Sequence, residues 1–324
     1  IELQLNAWLI ETKDFSLNAT FNIGHNKNKI DKLASGEKEW ILTSAWRNDV
    51  VNSDDYRAYV GGTSGLIYGY VNDGFYTVAD FESFDSKSRT WKLKEGVVDS
   101  SPLSDTPRPG NAKFKKLTPV DPNSTNPYQL TEADRTVIGN TTPKFSGGFG
   151  LNATYKGFDM SMFFNFMYDF DVLNANKIML TTWADNKENN FLMDIASDKR
   201  WRNFDDMGNE IRYSPEVLAE FNKNATMWNP TSIGRPICMS YAVEDGSFLR
   251  LNSATLGYTL PSVWTKKVGL SKVRFYVSGN NLFTLTGYSG YDPEVNIATG
   301  LTPNIDYNRY PRSRTYTFGA QLTF

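Results

Sequence analysis

The sequence predicts an all-β fold, an antiparallel transmembrane β-barrel. Three features predict it: repeated alternation of apolar and polar residues, strands of about ten residues, and very short turns alternating with very long loops. The opening run IELQLNAWLI puts Ile1, Leu3, Leu5, Ala7 and Leu9 on one face and Glu2, Gln4 and Asn6 on the other. After the turn ETKD, FSLNATFNIG repeats the pattern with Phe15, Leu17, Ala19, Phe21 and Ile23, so the two runs form a hairpin. FSGGFGLNATY, the turn KG and FDMSMFFNFMYDF make a second hairpin, in which Phe158, Met160, Met162, Phe164, Phe166, Tyr168 and Phe170 share a face. SFLRLNSATLGYTL slips phase near Asn252, as a β-bulge would make it. KVRFYVSGNNLF and RTYTFGAQLTF follow, GLIYGYV and AKFKKL are shorter candidates, and eight to ten strands are expected.

Strand length selects the environment. Strands of soluble domains usually run about five or six residues. Ten residues at ~3.3 Å each, tilted ~45°, cross the ~25 Å apolar band of an outer-membrane barrel. The connections agree: 25–64, 73–144, 171–246 and 284–312 are long and polar, whereas ETKD and KG are tight. A soluble sandwich would carry loops of similar, short length at both ends.

Composition excludes several other classes. The 324 residues carry a net charge of −2, which gives no long-range field for a polyanion, so nucleic acid is not an expected partner. The single cysteine, Cys238, allows no intrachain disulfide or cysteine metal cluster and reads as a packed thiol. No run of 18 apolar residues occurs, so no transmembrane helix is expected, and no leader pattern opens the chain.

Few residues invite a chemical role. His25 is the only histidine, which leaves a histidine-based triad or metal site without partners, and the carboxylates show no paired signature; no enzyme is expected. In DPNSTNPYQLTE, Asp121, Asn123, Thr125 and Glu132 stand at positions one, three, five and twelve of a calcium loop. The glycine required at position six is Asn126, and proline follows, so a plain turn-rich loop is the stronger expectation and calcium the weaker; no other cofactor is expected. Trp183, Trp201 and Trp228 fall in 171–246, where aromatic faces suit sugar rings or peptide side chains but also pack a loop onto itself. Tyr288, Tyr291 and Asp292 in GYSGYDPE form a second candidate contact cluster, read chiefly as loop architecture.

The last strand carries Tyr316, Ala320, Leu322 and Phe324 on its apolar face, which resembles the carboxy-terminal signal recognised during insertion of outer-membrane barrels. A broader resemblance runs through TEADRTVIGNTTPKFSGGFGLNATYKGFDMSMFFNF, VEDGSFLRLNSATLGYTLP, KVRFYVSGNNLFTLTGYSGYDPEV and YPRSRTYTFGAQLTF. These resemble the carboxy-terminal barrel of the SusC family, TonB-dependent nutrient importers of Bacteroidota outer membranes. The resemblance implies a 22-stranded barrel around a plug domain, a TonB-contacting segment, a SusD-like surface lipoprotein as lid, and glycan oligosaccharides or peptides as cargo. Residues 1–324 would then be the carboxy-terminal portion of that barrel, with plug and amino-terminal strands outside this chain and outer-membrane lipid around it. The alternative is a passive porin, an adhesin or a secretion-associated barrel without TonB coupling.

Overall fold

The computed structural model describes residues 1–46, 54–103, 106–182, 190–233, 235–294 and 300–324. Seven long strands form one sheet: β1 (Glu2–Glu11), β2 (Phe15–Gly24), β3 (Phe145–Tyr155), β4 (Phe158–Tyr168), β5 (Phe248–Thr259), β6 (Lys272–Thr286) and β7 (Thr315–Thr323). Each pairs antiparallel with its neighbour in the chain, the up-and-down order of a barrel wall.

The register explains the alternation. Leu5, Phe21, Phe149, Phe164, Leu251 and Phe283 align across six strands in one apolar row. Nearer the short turns, Phe15, Tyr155, Phe158, Tyr258, Phe275 and Ala320 align in another. Between them Asn18, Asn152, Ser161, Thr255, Ser278 and Thr317 form a row on the opposite face. The apolar face carries ring pairs such as Phe149–Phe164, stacked at 4.5 Å, and Phe158–Tyr258 at 4.5 Å. The polar face carries side-chain hydrogen bonds instead: Asn18 Nδ2 donates to Asn6 Oδ1 at 2.7 Å, and Arg274 Nε to Asp159 Oδ1 at 2.9 Å. The apolar face meets lipid and the polar face the lumen.

Local geometry refines the pattern. The KG turn is a two-residue hairpin with both φ positive, 44° at Lys156 and 92° at Gly157, which matches the twist of its strands. The expected bulge at Asn252 is present, since Phe164 faces Leu251 while the adjacent Phe163 faces Ser253. A second bulge lies between Trp8 and Ile10, so Ile10, not Leu9, pairs with Leu17 on the apolar face. Phe170 also leaves the strand face: Asp169 turns the chain at φ 60°, and Phe170 enters a buried cluster beyond the sheet.

The long connections are 25–144, 169–247 and 287–314, and they fold together. GLIYGYV and AKFKKL belong here rather than to the barrel wall. The strand Leu66–Gly69 joins Thr136–Asn140, Tyr56–Tyr59 and Glu39–Leu42 in a small sheet, and Ala112–Phe114 pairs with Asn72–Phe75. These strands are too short to cross a membrane, and Leu66, Ile67, Ala112 and Phe114 are buried. Asp171–Asn174 pairs with Val243–Asp245 and, in parallel, with Ile305–Asp306, which binds the second loop to the third. One buried cluster takes Tyr56 and Ile67 from the first loop, Leu173 and Ile178 from the second, and Ile305 from the third. Another joins Tyr70, Phe114 and Leu130 to Ile195, Trp228 and Ile237. The protein core therefore sits in the loops, while the sheet leaves its apolar face open, with Phe318 81% exposed.

A charge on the lipid face should be costly and a charge on the luminal face tolerated. Leu151→Lys is expected to lower the unfolding free energy in liposomes by about 2–4 kcal/mol, and Asn152→Lys, one residue away, to change it little. Urea unfolding followed by heat-modifiable gel mobility reads both.

Candidate functional site

The surface available for binding is the loop body, and its internal ties determine which side chains are free. The third loop is tied to the barrel through β5. Arg250, 2% exposed, donates from Nη2 to Asp292 Oδ1 at 2.5 Å and from Nη1 to Asp292 Oδ2 at 3.3 Å. Its Nε lies 3.0 Å from Glu294 Oε2, and Glu294 also meets Arg312 at 3.4 Å. Tyr288 is buried with Phe170, Val172 and Phe248, and its hydroxyl donates to Asp306 Oδ2 at 2.8 Å. Burial raises the pKa of both Tyr288 and Asp306, so each favours its neutral form. Glu244 joins the second loop to the third: Oε1 accepts from Asn174 Nδ2 at 2.9 Å and from Ser289 Oγ at 2.8 Å, and Lys177 Nζ lies 3.6 Å away.

Among the sequence candidates, Tyr288 and Asp292 are thus structural ties within the loop body. Trp228, 1% exposed, donates from Nε1 to Thr181 O at 3.1 Å and meets Tyr241 edge-on at 4.8 Å. Trp201 is buried against Phe75 at 5.8 Å. Trp183 lies outside the described residues. Tyr291 differs from the others: it is 86% exposed, which leaves its ring available to a partner. Tyr316, Ala320, Leu322 and Phe324 are exposed along β7 and its end, and Tyr316 pairs with Gly279, Ala320 with Phe275 and Leu322 with Val273.

The calcium-loop spacing folds around a different acid. Asp121 Oδ1 accepts from the Asn123 backbone N–H at 2.9 Å, a local turn, and Glu132 is exposed in the short 3-10 turn Glu132–Asp134. The buried acid is Asp134, 0% exposed. It accepts backbone N–H bonds from Leu117, Thr118 and Thr131 at 2.9, 2.7 and 2.8 Å, and Lys116 Nζ lies 3.4 Å away. Burial alone would raise its pKa, but these donors and the Thr118 hydroxyl outweigh it and hold the carboxyl well below the ordinary range. The sequence signal for this role was the capping box formed by Thr131 and Asp134. Among the described residues no cluster of three or more histidine, cysteine or acidic side chains is arranged for a metal ion. His25 Nδ1 lies 2.6 Å from Lys144 O and its ring packs on Phe145, a contact at the base of the loops. Cys238 is buried, and burial pushes its thiol pKa up, which makes it inert as a nucleophile.

The comparisons with known proteins agree with this geometry. No family model matches the chain. Over its whole length it is 32% identical to TonB-dependent receptor P3 of Formosa agariphila and 26% identical to TonB-dependent receptor SusC of Bacteroides thetaiotaomicron. The chain is thus similar, over its whole length, to one part of TonB-dependent receptors, SusC among them. It spans 28% of the first relative and 26% of the second, little more than a quarter of either. The solved RagAB peptide transporter aligns with all of this chain and 29% of its own, at a TM-score of 0.64 and 21% identity, a likeness of fold. A RagAB peptide importer structure in the open-open state aligns at 0.62 and 22% identity. The SusC-like wall accordingly belongs to the outer membrane of a Bacteroidota-type bacterium, and the relatives are named as receptors and transporters rather than enzymes.

Two outcomes follow from these ties. Asp292→Ala leaves Arg250 charged and buried without its main partner, so the third loop should lose about 3–5 kcal/mol of local stability by hydrogen exchange. Asp134 has a lowered pKa, so its contribution is full above the ordinary carboxylate pKa near ~4 and is lost as pH falls through that value towards the folded one. Exchange protection of 116–134 should therefore drop between pH 6 and pH 3, and Asp134→Asn should reduce it already at pH 6.

Proposed function

We propose that this chain forms part of the wall and extracellular loop body of an active outer-membrane importer that takes up glycan oligosaccharides or peptides. In this reading a SusD-like lipoprotein closes over the loops, and TonB supplies the work through a plug and contacting segment in the remaining part of the same receptor. One observation carries it: a lipid-facing sheet that is open at both edges supports a loop body with its own core. Among the described residues β1 pairs only with β2, and β7 only with β6. Unpaired strand edges in hydrocarbon leave backbone groups that each cost several kcal/mol, so further strands of the same barrel complete the ladder at β1 and β7.

The chain's own contribution is structural and recognitive. In this role it needs no catalytic group and no resident cofactor, and calcium at Asp121, Asn123, Thr125 and Glu132 would act on loop order. Tyr291 is the exposed one of the described aromatic candidates and is offered to lid or cargo, while Trp201, Trp228, Tyr288 and Asp292 are buried within the loop body. Among the relatives RagAB is named a peptide transporter, which favours the peptide class, and SusC is named a TonB-dependent receptor.

Uptake of labelled oligosaccharides and peptides by cells carrying the full receptor tests the reading. Uptake should be saturable, should stop when the proton gradient is collapsed, and should accompany a lipoprotein that co-purifies through a salt wash. Unsaturable uptake that survives loss of the gradient would mean a passive pore and sink the importer.

A further inference from the structure

The loop body contains a bipartite cleft away from Tyr291. A depression of about 210 Å³ and another of about 470 Å³ share Asn203, Arg212, Asn229 and Thr231. The larger lobe has the size of a small-ligand site. Arg108 lines the smaller lobe, Arg200 and Arg202 the larger, and Arg212 both.

The charge in this cleft is only partly answered. Arg202 pairs with Asp206 at 2.7 Å and Arg212 with Glu210 at 2.5 Å. Asp205, the one acid among the described lining residues, is occupied by backbone N–H groups of Met207 and Asn209 at 2.9 and 2.8 Å. Arg108 and Arg200 have no carboxylate partner among the described residues; the Arg200 guanidinium donates from Nη1 to the carbonyl of Ile195, at 2.9 Å. Burial, and then the like charge of Arg202, push the pKa of Arg200 down, a penalty that a bound anion would relieve.

A second observation points to a ligand. Trp201 Nε1 and Ser232 Oγ are buried with no hydrogen-bond partner among the described residues, and both side chains line the cleft. Trp201 is 2% exposed and Ser232 7%. Buried polar atoms are rarely left unpaired in a native fold. The turn beside them is built for close approach: Gly110 has φ +90°, and a Cβ there would stand 2.3 Å from the Trp201 ring, so glycine keeps Arg108 and the indole together.

We propose that this cleft binds a uronic-acid-type oligosaccharide, one carboxylate at Arg108 in the smaller lobe, another at Arg200 in the larger, and ring hydroxyls at Asn203, Asn229 and Ser232. Guanidinium groups match a carboxylate in a planar, bidentate way. Amide and hydroxyl side chains each donate and accept, as an array of sugar hydroxyls requires. The indole N–H of Trp201 adds a donor that suits an acceptor-rich ligand. The proposal rests on the importer reading for the origin of the ligand, but binding is measured without transport.

Isothermal titration of the intact receptor assembly in detergent tests it, with tetragalacturonate, maltotetraose and tetraglutamate as probes. Tetragalacturonate should bind, more weakly as salt rises. Arg108→Gln and Trp201→Phe should each weaken it about tenfold, with the melting temperature unchanged. Should the buried Trp201→Phe variant misfold, Arg108→Gln, on an exposed side chain, decides alone. Equal binding of maltotetraose, no effect of Arg108→Gln, or preference for tetraglutamate would each overturn the assignment. Retained tetragalacturonate binding with no energised uptake would instead count against the importer.

Discussion

The lipid face of the sheet is the constraint on which the rest of the structure depends. Every barrel strand spends one set of side chains on the hydrocarbon, so rows such as Leu5, Phe21, Phe149 and Phe164 cannot pack against protein. The other set lines an aqueous lumen and is correspondingly polar. A sheet with neither face on a core must gain its stability from its ladder, from lipid and from what its loops build above it. This is why the buried clusters lie in the loops, with β5 contributing Phe248 where the sheet meets them.

The loops in turn behave as one body because their cores are shared. No loop owns its cluster: Tyr56, Leu173 and Ile305 come from three different connections. Withdrawing the third loop would expose Ile305 and Tyr288 and separate Arg250 from Asp292, and the buried charge dominates that cost. The polar ties around Glu244 and Asp306 hold the same interface by a different means. Specificity of arrangement comes from these hydrogen-bonded groups, and the bulk of the attraction from the apolar residues around them.

The barrel wall was legible in the sequence because period-two alternation over ten residues leaves little room for another structure. The phase slip at Asn252 was legible for the same reason, since a bulge breaks the period visibly. The bulge at Leu9 was not: Trp8, Leu9 and Ile10 are all apolar, and a slip inside an apolar run leaves no mark. The loop body was hidden because its strands are two to five residues long and its contacts join residues far apart in sequence. Trp201 and Trp228 show the limit well, since nothing local distinguishes a tryptophan offered to a ligand from one closing a core. Asp134 was passed over for Asp121 because ligand spacing was weighed and burial could not be.

A shared loop core also constrains how such a receptor opens. Moving one loop alone would uncover several large side chains at about 1.5–3 kcal/mol each, more than ordinary cargo contacts return. In the proposed importer, rigid displacement of a lid over the whole body would uncover none of them. The surface below a lid can therefore stay preformed, and a preformed polar surface loses less entropy on binding than loops that must order around the ligand. The arginine cleft fits this economy: Arg202, Arg212 and Asp205 are fixed by their own partners before any ligand arrives, which leaves Arg108 and Arg200 to meet it.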